Sequence, residues 1–153
     1  MDVTEQARAL LEPVPAHRTA GIEVLRAAEV ALATPHALTN VIGSLHSSGL
    51  AALIDAAGLA AIIAAGETED AFQGVVPLGA HASLEFLAPA RGRLLATCRL
   101  DDEASGALRP VLARETDGAR LTTHTEVVDS AGVLVCRGSF EWSVRRTTHA
   151  PPE

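Results

Sequence analysis

Ser47-Ser48-Gly49-Leu50-Ala51-Ala52-Leu53-Ile54-Asp55-Ala56-Ala57-Gly58-Leu59-Ala60-Ala61-Ile62-Ile63-Ala64-Ala65 is the stretch that decides the architecture. It has no proline, is dominated by alanine, leucine and isoleucine, and is too long for a strand, so it reads as one long helix. Because it is apolar on nearly every side, the helix is expected to be buried all round. The run is slightly short for a membrane span, holds Asp55 near its middle and has no flanking Lys or Arg. A core helix fits it better. Gly66 is the expected stop. Gly58 costs roughly 1 kcal/mol of helix propensity relative to alanine, which implies close approach of another backbone.

Beyond the helix the period becomes two. Over Ala80 to Ala88, the residues Ala80, Ala82, Leu84 and Phe86 alternate with His81, Ser83, Glu85 and Leu87. Leu94, Ala96, Cys98 and Leu100 form a second series, and Leu134, Cys136, Phe140, Trp142 and Val144 a third. Such alternation describes antiparallel strands with one wet and one dry face. Turns are expected at Pro89 to Gly92, Asp102 to Gly106, Asp117-Gly118 and Ser130 to Gly132. Ahead of the long helix, Asp2 to Glu12 reads as a short amphipathic helix with capping-box spacing between Asp2 and Glu5, ended by Pro13 and Pro15. Ile22 to Thr34 reads as extended chain that turns or bulges near Arg26-Ala27 and closes at Pro35.

The expected order is strand, one long helix, then about five strands. A sheet of that size must cover its dry face, and a single helix is long and apolar enough to do so. The implied fold class is α+β: a curved antiparallel sheet wrapped around one central helix, the hotdog fold. We expect one domain over residues 1–146, with 1–16 as N-terminal helix and linker, and a disordered tail over 147–153.

A formal charge of -7 argues against nucleic-acid binding, which needs a basic surface to displace counterions. Cys98 and Cys136 fall in expected strands and read as buried thiols of a reduced compartment. The acidic start, Met1-Asp2-Val3-Thr4-Glu5, lacks the basic region of a signal peptide, so the expected location is cytoplasmic, with no membrane partner. His17, His36, His81, His124 and His149 lack metal-ligand spacing, and no metal site is expected.

Asn40-Val41-Ile42-Gly43-Ser44-Leu45-His46-Ser47-Ser48-Gly49, with Asp55 two turns into the helix, resembles the PaaI-like acyl-CoA thioesterases of the hotdog superfamily. Their pattern is matched at Asn40, Gly43, His46 and Asp55. Leu87-Ala88-Pro89-Ala90-Arg91-Gly92 resembles the family's turn between strands, and the likeness covers roughly residues 21–145. Two positions depart from the pattern. Ser47-Ser48 stands where the family has Gly-Gly, and Gly79 or His81 falls where a small polar residue is usual after the helix. The resemblance implies an acyl-CoA substrate, no cofactor beyond the coenzyme A that the substrate carries, and a homodimer or a tetramer of hotdog dimers with sites across the dimer interface.

The chemistry of the residues fits this expectation. Thioester hydrolysis needs a polarised carbonyl and either a carboxylate or an activated water at its carbon. Helix N-terminal amides near Ser47, Ser48 and Gly49, with Gly43 ahead of them, would polarise the carbonyl and bind substrate. Asp55 is the one ionisable residue between His46 and Glu67 and is the candidate base or nucleophile. Ser47 and Asp55 lie about 12 Å apart along the helix axis, too far to share one carbonyl. Two helices paired antiparallel across a dimer would bring Asp55 of one chain to Ser47 of the other, giving two equivalent sites.

Each candidate has a structural alternative. Asp55 could be a carboxylate satisfied by hydroxyls or amides. Asn40 serves either as a turn residue or as a catalytic holder of substrate or water. His46 is a candidate acid/base or a cap. Arg91, Arg93, Arg137 and Arg145 meet either coenzyme A phosphates or solvent. Two further functions stay open: a non-catalytic acyl-CoA-binding dimer, and a hotdog dehydratase or hydratase.

Overall fold

The computed structural model describes residues 1–147. The apolar run folds as helix α3, Ser47–Ala64, against a curved six-stranded antiparallel sheet. The strands are β1 (Ile22–Arg26), β2 (Glu29–Ala33), β3 (Val75–Phe86), β4 (Arg93–Arg99), β5 (Gly118–Asp129) and β6 (Leu134–Arg146). Their order in the sheet is β1-β2-β4-β5-β6-β3, so β1 and β3 are the edges. Alternate residues of β4 and β5, such as Leu94, Ala96, Leu121 and Val127, are buried. Outward neighbours such as Arg93, Arg99, His124 and Glu126 are exposed. The hotdog fold read from the sequence is the fold of this chain.

Several local expectations are corrected. Four strands follow α3 rather than five, and Ile22 to Thr34 forms the β1–β2 hairpin, turning at Ala28 with φ +64°. The expected turn at Asp102 to Gly106 is the start of helix α4, Asp102–Leu112, whose N-cap Asp101 accepts from the Ala104 amide at 2.7 Å. The N-terminal segment also folds further than expected. Asp2 closes its capping box with Glu5 over helix α1, Val3–Leu11, but Pro15 opens helix α2, Pro15–Ala20, instead of ending structure. Proline suits that first helical position because its missing N–H would be unpaired there anyway. Thr147, the first residue of the expected tail, bonds to the Gly74 carbonyl at 2.7 Å, and residues 148–153 lie outside the described part.

The edge strand β3 departs from simple alternation. A register shift between Gly79 and His81 leaves Ala80 as an extra residue opposite β6. His81, Ser83 and Glu85 then pair with Glu141, Ser139 and Arg137, while Ala82, Leu84 and Phe86 pair with Phe140, Gly138 and Cys136.

Helix α3 is not buried all round. Leu50, Leu53, Ile54, Ala57, Ala61 and Ile62 are sealed, but Ser48 is exposed and Ala51, Ala52, Asp55 and Leu59 are half-buried. These five fall on one flank of the helix at three- and four-residue spacing. The close approach at Gly58 is also real but comes from side chains rather than backbone. A Cβ there would lie 2.8 Å from Trp142 Cζ2 and 2.9 Å from Thr123 Oγ1. The Trp142 indole donates to that hydroxyl at 2.8 Å, so neither neighbour is free to yield. Gly66 follows directly on the helix end, which is a right-handed cap at Ala65.

Gly58→Ala tests this packing. Overpacking costs about 1–3 kcal/mol, against a gain of about 1 kcal/mol in helix propensity. The net loss should reach up to about 2 kcal/mol, read as a lower denaturation midpoint. A raised midpoint would show that the Trp142 contact is slack.

Candidate active site

The two sequence stretches that carry the thioesterase resemblance meet in space. The Leu45 amide donates to the Ala90 carbonyl at 2.7 Å, and Arg91 Nη2 donates to the Ile42 carbonyl at 2.9 Å. Together with Phe86 and Leu87 at the end of β3, they line a groove of about 350 Å³ beside the N-terminus of α3.

Asn40 organises the loop that enters the helix. Its Oδ1 accepts from the Ile42 and Ser44 amides, each at 3.1 Å, and its Nδ2 donates to Ser44 Oγ at 2.7 Å. Gly43 sits in that loop at φ +73°, a conformation that side chains disfavour. Gly49 is buried, and a Cβ on it would meet Leu45 Cδ1 at 2.5 Å, so the missing side chain lets Leu45 seat under the helix start.

His46 is the N-cap of α3. Its Nδ1 accepts from the Ser48 amide at 3.1 Å and lies 2.8 Å from Ser48 Oγ. The Gly49 amide donates to the His46 carbonyl at 2.9 Å. Of the three amides expected to face a thioester, Ser48 and Gly49 are thus engaged, while that of Ser47 has no partner among the described residues.

Asp55 lies on the open flank of α3, with its side chain 31 % exposed. Its Oδ2 is 3.1 Å from Nε2 of His17, a residue of α2 that is 3 % exposed. His17 Nδ1 sits 2.9 Å from the Leu11 carbonyl, which can only accept, so Nδ1 carries a hydrogen. The contact between Nε2 and Oδ2 therefore needs one further proton, shared by the pair. Burial acts to lower the His17 pKa. The hydrogen bond from Asp55, the Leu11 carbonyl and the Asp55 charge together outweigh it and raise the value above 6.5. Asp55 Oδ1 has no partner among the described residues.

His17 is the site residue that sequence reasoning missed. It was weighed there only as a metal ligand, and nothing in its spacing ties it to a carboxylate 38 positions away. Pro15 is a signal for a helix start, but nothing in the local sequence places the His17 imidazole under α1. Asn40, Gly43, His46 and Ser47 gather at the helix tip, whereas Asp55 stands two turns away with no bond to any of them.

Two of the arginine candidates are engaged with carboxylates elsewhere. Arg93 pairs with Glu23 at 3.2 Å and Arg137 with Glu85 at 3.1 Å. Cys98 and Cys136 are buried, and burial raises both thiols, Cys136 to about 11. Such thiols are poor nucleophiles.

A family model described as a domain of unknown function, DUF4442, matches residues 7–144. Among solved structures, the chain is similar to a protein of unknown function from Pseudomonas aeruginosa described as a probable thioesterase. The two share 26% identity over 94% of this chain and 96% of that one, with a TM-score of 0.70. It is similar to a thioesterase from Haemophilus influenzae at 18% identity, covering 97% and 94% of the two chains with a TM-score of 0.70. The PaaI protein of E. coli, from the phenylacetic acid degradation operon, is 16% identical over 97% and 99%, with a TM-score of 0.61. At their identities the last two speak to the fold alone. No curated protein matches the chain.

The His17 shift fixes the sign of a stability effect. Its folded pKa lies above the ordinary 6.5, so the bond to Asp55 stabilises fully below that value and is lost as pH rises through the folded pKa. Wild type should therefore exceed Asp55→Asn in denaturation midpoint most clearly below the ordinary histidine value of 6.5, with the gap closing as the pH rises through the folded pKa of His17. A gap that widens with rising pH would contradict the pairing.

Proposed function

The chain belongs to the DUF4442 family, part of the hotdog thioesterase superfamily, and on that footing we propose that it hydrolyses acyl-CoA thioesters as a homodimer with Asp55 as general base or nucleophile. One observation carries this reading. Helix α3 has a single carboxylate, on its open flank, with one oxygen held by His17 and the other unengaged.

As a base, Asp55 Oδ1 takes a proton from water while the water oxygen bonds to the thioester carbon and the carbonyl electrons move to oxygen. An amide at the α3 tip stabilises that oxyanion. When the carbon–sulfur bond breaks, the departing thiolate takes the proton from Asp55. As a nucleophile, the same oxygen bonds to the thioester carbon and expels the coenzyme A thiolate, which takes a proton from solvent, and water then cleaves the acyl-aspartyl anhydride to the free acid and Asp55.

The tip and the carboxylate lie about 12 Å apart within one chain, which supports a site completed by a second copy. The surface suits that arrangement. The outer edge of β3 has no strand partner among the described residues, and Leu78 and Phe86 on it are 63% and 54% exposed. An edge this long and apolar calls for cover, and a second β3 is the simplest occupant. The groove at Ile42, Leu50 and Phe86 is apolar enough for the acyl portion of the substrate.

A second reading draws on the capping of Ser48 and Gly49. With His46 occupying the first of these amides, a dimer that binds acyl-CoA without turning it over has a specific structural basis.

Free-thiol release across a panel of acyl-CoAs separates the two. Wild type should turn over at least one thioester. Asp55→Asn should lose at least about 10²-fold in kcat while still sedimenting as a dimer. Saturable binding with no thiol release would favour the binding protein, and full activity in Asp55→Asn would remove the carboxylate from the mechanism.

A further inference from the structure

We infer that His17 is a positioning residue for Asp55, clamping Oδ2 from behind so that Oδ1 alone is presented to the substrate. The inference deepens the Asp55 reading above and rests on it.

The geometry separates His17 from a substrate contact. It is 3 % exposed and lies beneath the last turn of α1, so it reaches the reaction only through the carboxylate. Helix α2 holds it there. Pro15 fixes the first turn, and Gly21 ends the helix six residues later in a left-handed conformation at φ +71°. The Leu11 carbonyl then sets the ring's tautomer and its orientation at once. A carboxylate held by one oxygen has lost its freedom to rotate, which is what a base aimed at one carbon requires.

Packing alone does not explain an imidazole at this position. A buried polar ring costs more than an apolar side chain unless its partners are made, and His17 makes both. It is also the one ionisable group among the buried polar residues of the described chain. The other charged groups on the elements around it are committed elsewhere or exposed. On α1, Arg8 donates to the Val24 carbonyl and Glu12 accepts from the Val24 amide, each at 3.0 Å. Glu5 closes the capping box, Arg18 on α2 faces solvent, and α3 offers Asp55 only. On β1, Glu23 pairs with Arg93 and Arg26 with Glu29.

The bridging proton is not consumed in turnover. The proton taken up at Oδ1 leaves on the thiol, and the one between Nε2 and Oδ2 stays with the pair. Above the folded pKa of His17 the bridging proton is lost, two acceptors face each other, and the clamp opens.

The test compares wild type, His17→Gln, His17→Asn and Asp55→Asn in acyl-CoA hydrolysis across pH. For His17→Gln the expected result is a fall in kcat of up to about 10²-fold with KM changed by less than about 2-fold, and loss of the wild-type alkaline limb in kcat. Unchanged kcat and an unchanged pH profile in both His17 variants, with Asp55→Asn inactive, would overturn the clamp while sparing Asp55. An active Asp55→Asn would instead overturn the Asp55 reading. Nitrogen NMR of the His17 ring keeps the question decidable if the His17 variants do not fold. Nε2 should stay protonated to higher pH in wild type than in Asp55→Asn. Identical titration of the ring in the two proteins would sink the inference.

Discussion

Helix α3 sets two demands on the fold that pull in opposite directions. Its apolar faces must leave water, and its one carboxylate must not be sealed away unpaired. The sheet meets the first demand by laying its dry face under Ile54, Gly58 and Ala61, where Trp142 and Thr123 press so close that only glycine fits at position 58. Helices α1 and α2 meet part of the second. They pack beside α3 and supply one partner to Asp55, yet leave the flank from Ser48 to Leu59 open. The open flank follows from the carboxylate: a helix bearing Asp55 cannot be wrapped completely by hydrocarbon without losing the charge.

The tip of the same helix is built from different materials. Asn40 closes its loop with both side-chain polar atoms, Gly43 takes the left-handed turn, and the loop is tied to the β3–β4 connection through Leu45 and Arg91. These bonds combine local turns with ties to the β3–β4 connection. His46 then caps the helix that it introduces, and the Ser47 amide is left with no partner among the described residues. A family position that elsewhere carries Gly-Gly here carries two serines, and one of them turns its hydroxyl toward the capping imidazole. A carbonyl directed at the Ser48 amide would compete with that imidazole.

Signals confined to one element were legible in the sequence. The bounds of α3 followed from composition alone, the α1 cap from the Asp2–Glu5 spacing, and the wet and dry faces of β4 from alternation. What escaped were features set by distant contacts or by ambiguous local chemistry. Asp102 to Gly106 has the polar, glycine-containing look of a turn, yet the Asp101 cap and the buried Ala104, Leu108 and Val111 stabilise α4. The extra residue at Ala80 arises from the pairing of β3 with β6, which no local pattern reports. The open flank of α3 was misread because alanine is equally at home facing hydrocarbon or a half-covered groove. His17 was invisible for a similar reason: its partner is 38 residues away and only the tertiary fold brings them together.

The account centres on one spatial claim, that a thioester sits between the carboxylate of one subunit and the helix tip of another. A crystal structure with a non-hydrolysable acyl-CoA thioether tests it most directly. The account predicts a dimer joined along β3, with the carbon that replaces the carbonyl within about 3.5 Å of Asp55 Oδ1 and the second subunit's Ser47 amide on its far side. The analogue bound within a single chain, or seated away from Asp55, would contradict it.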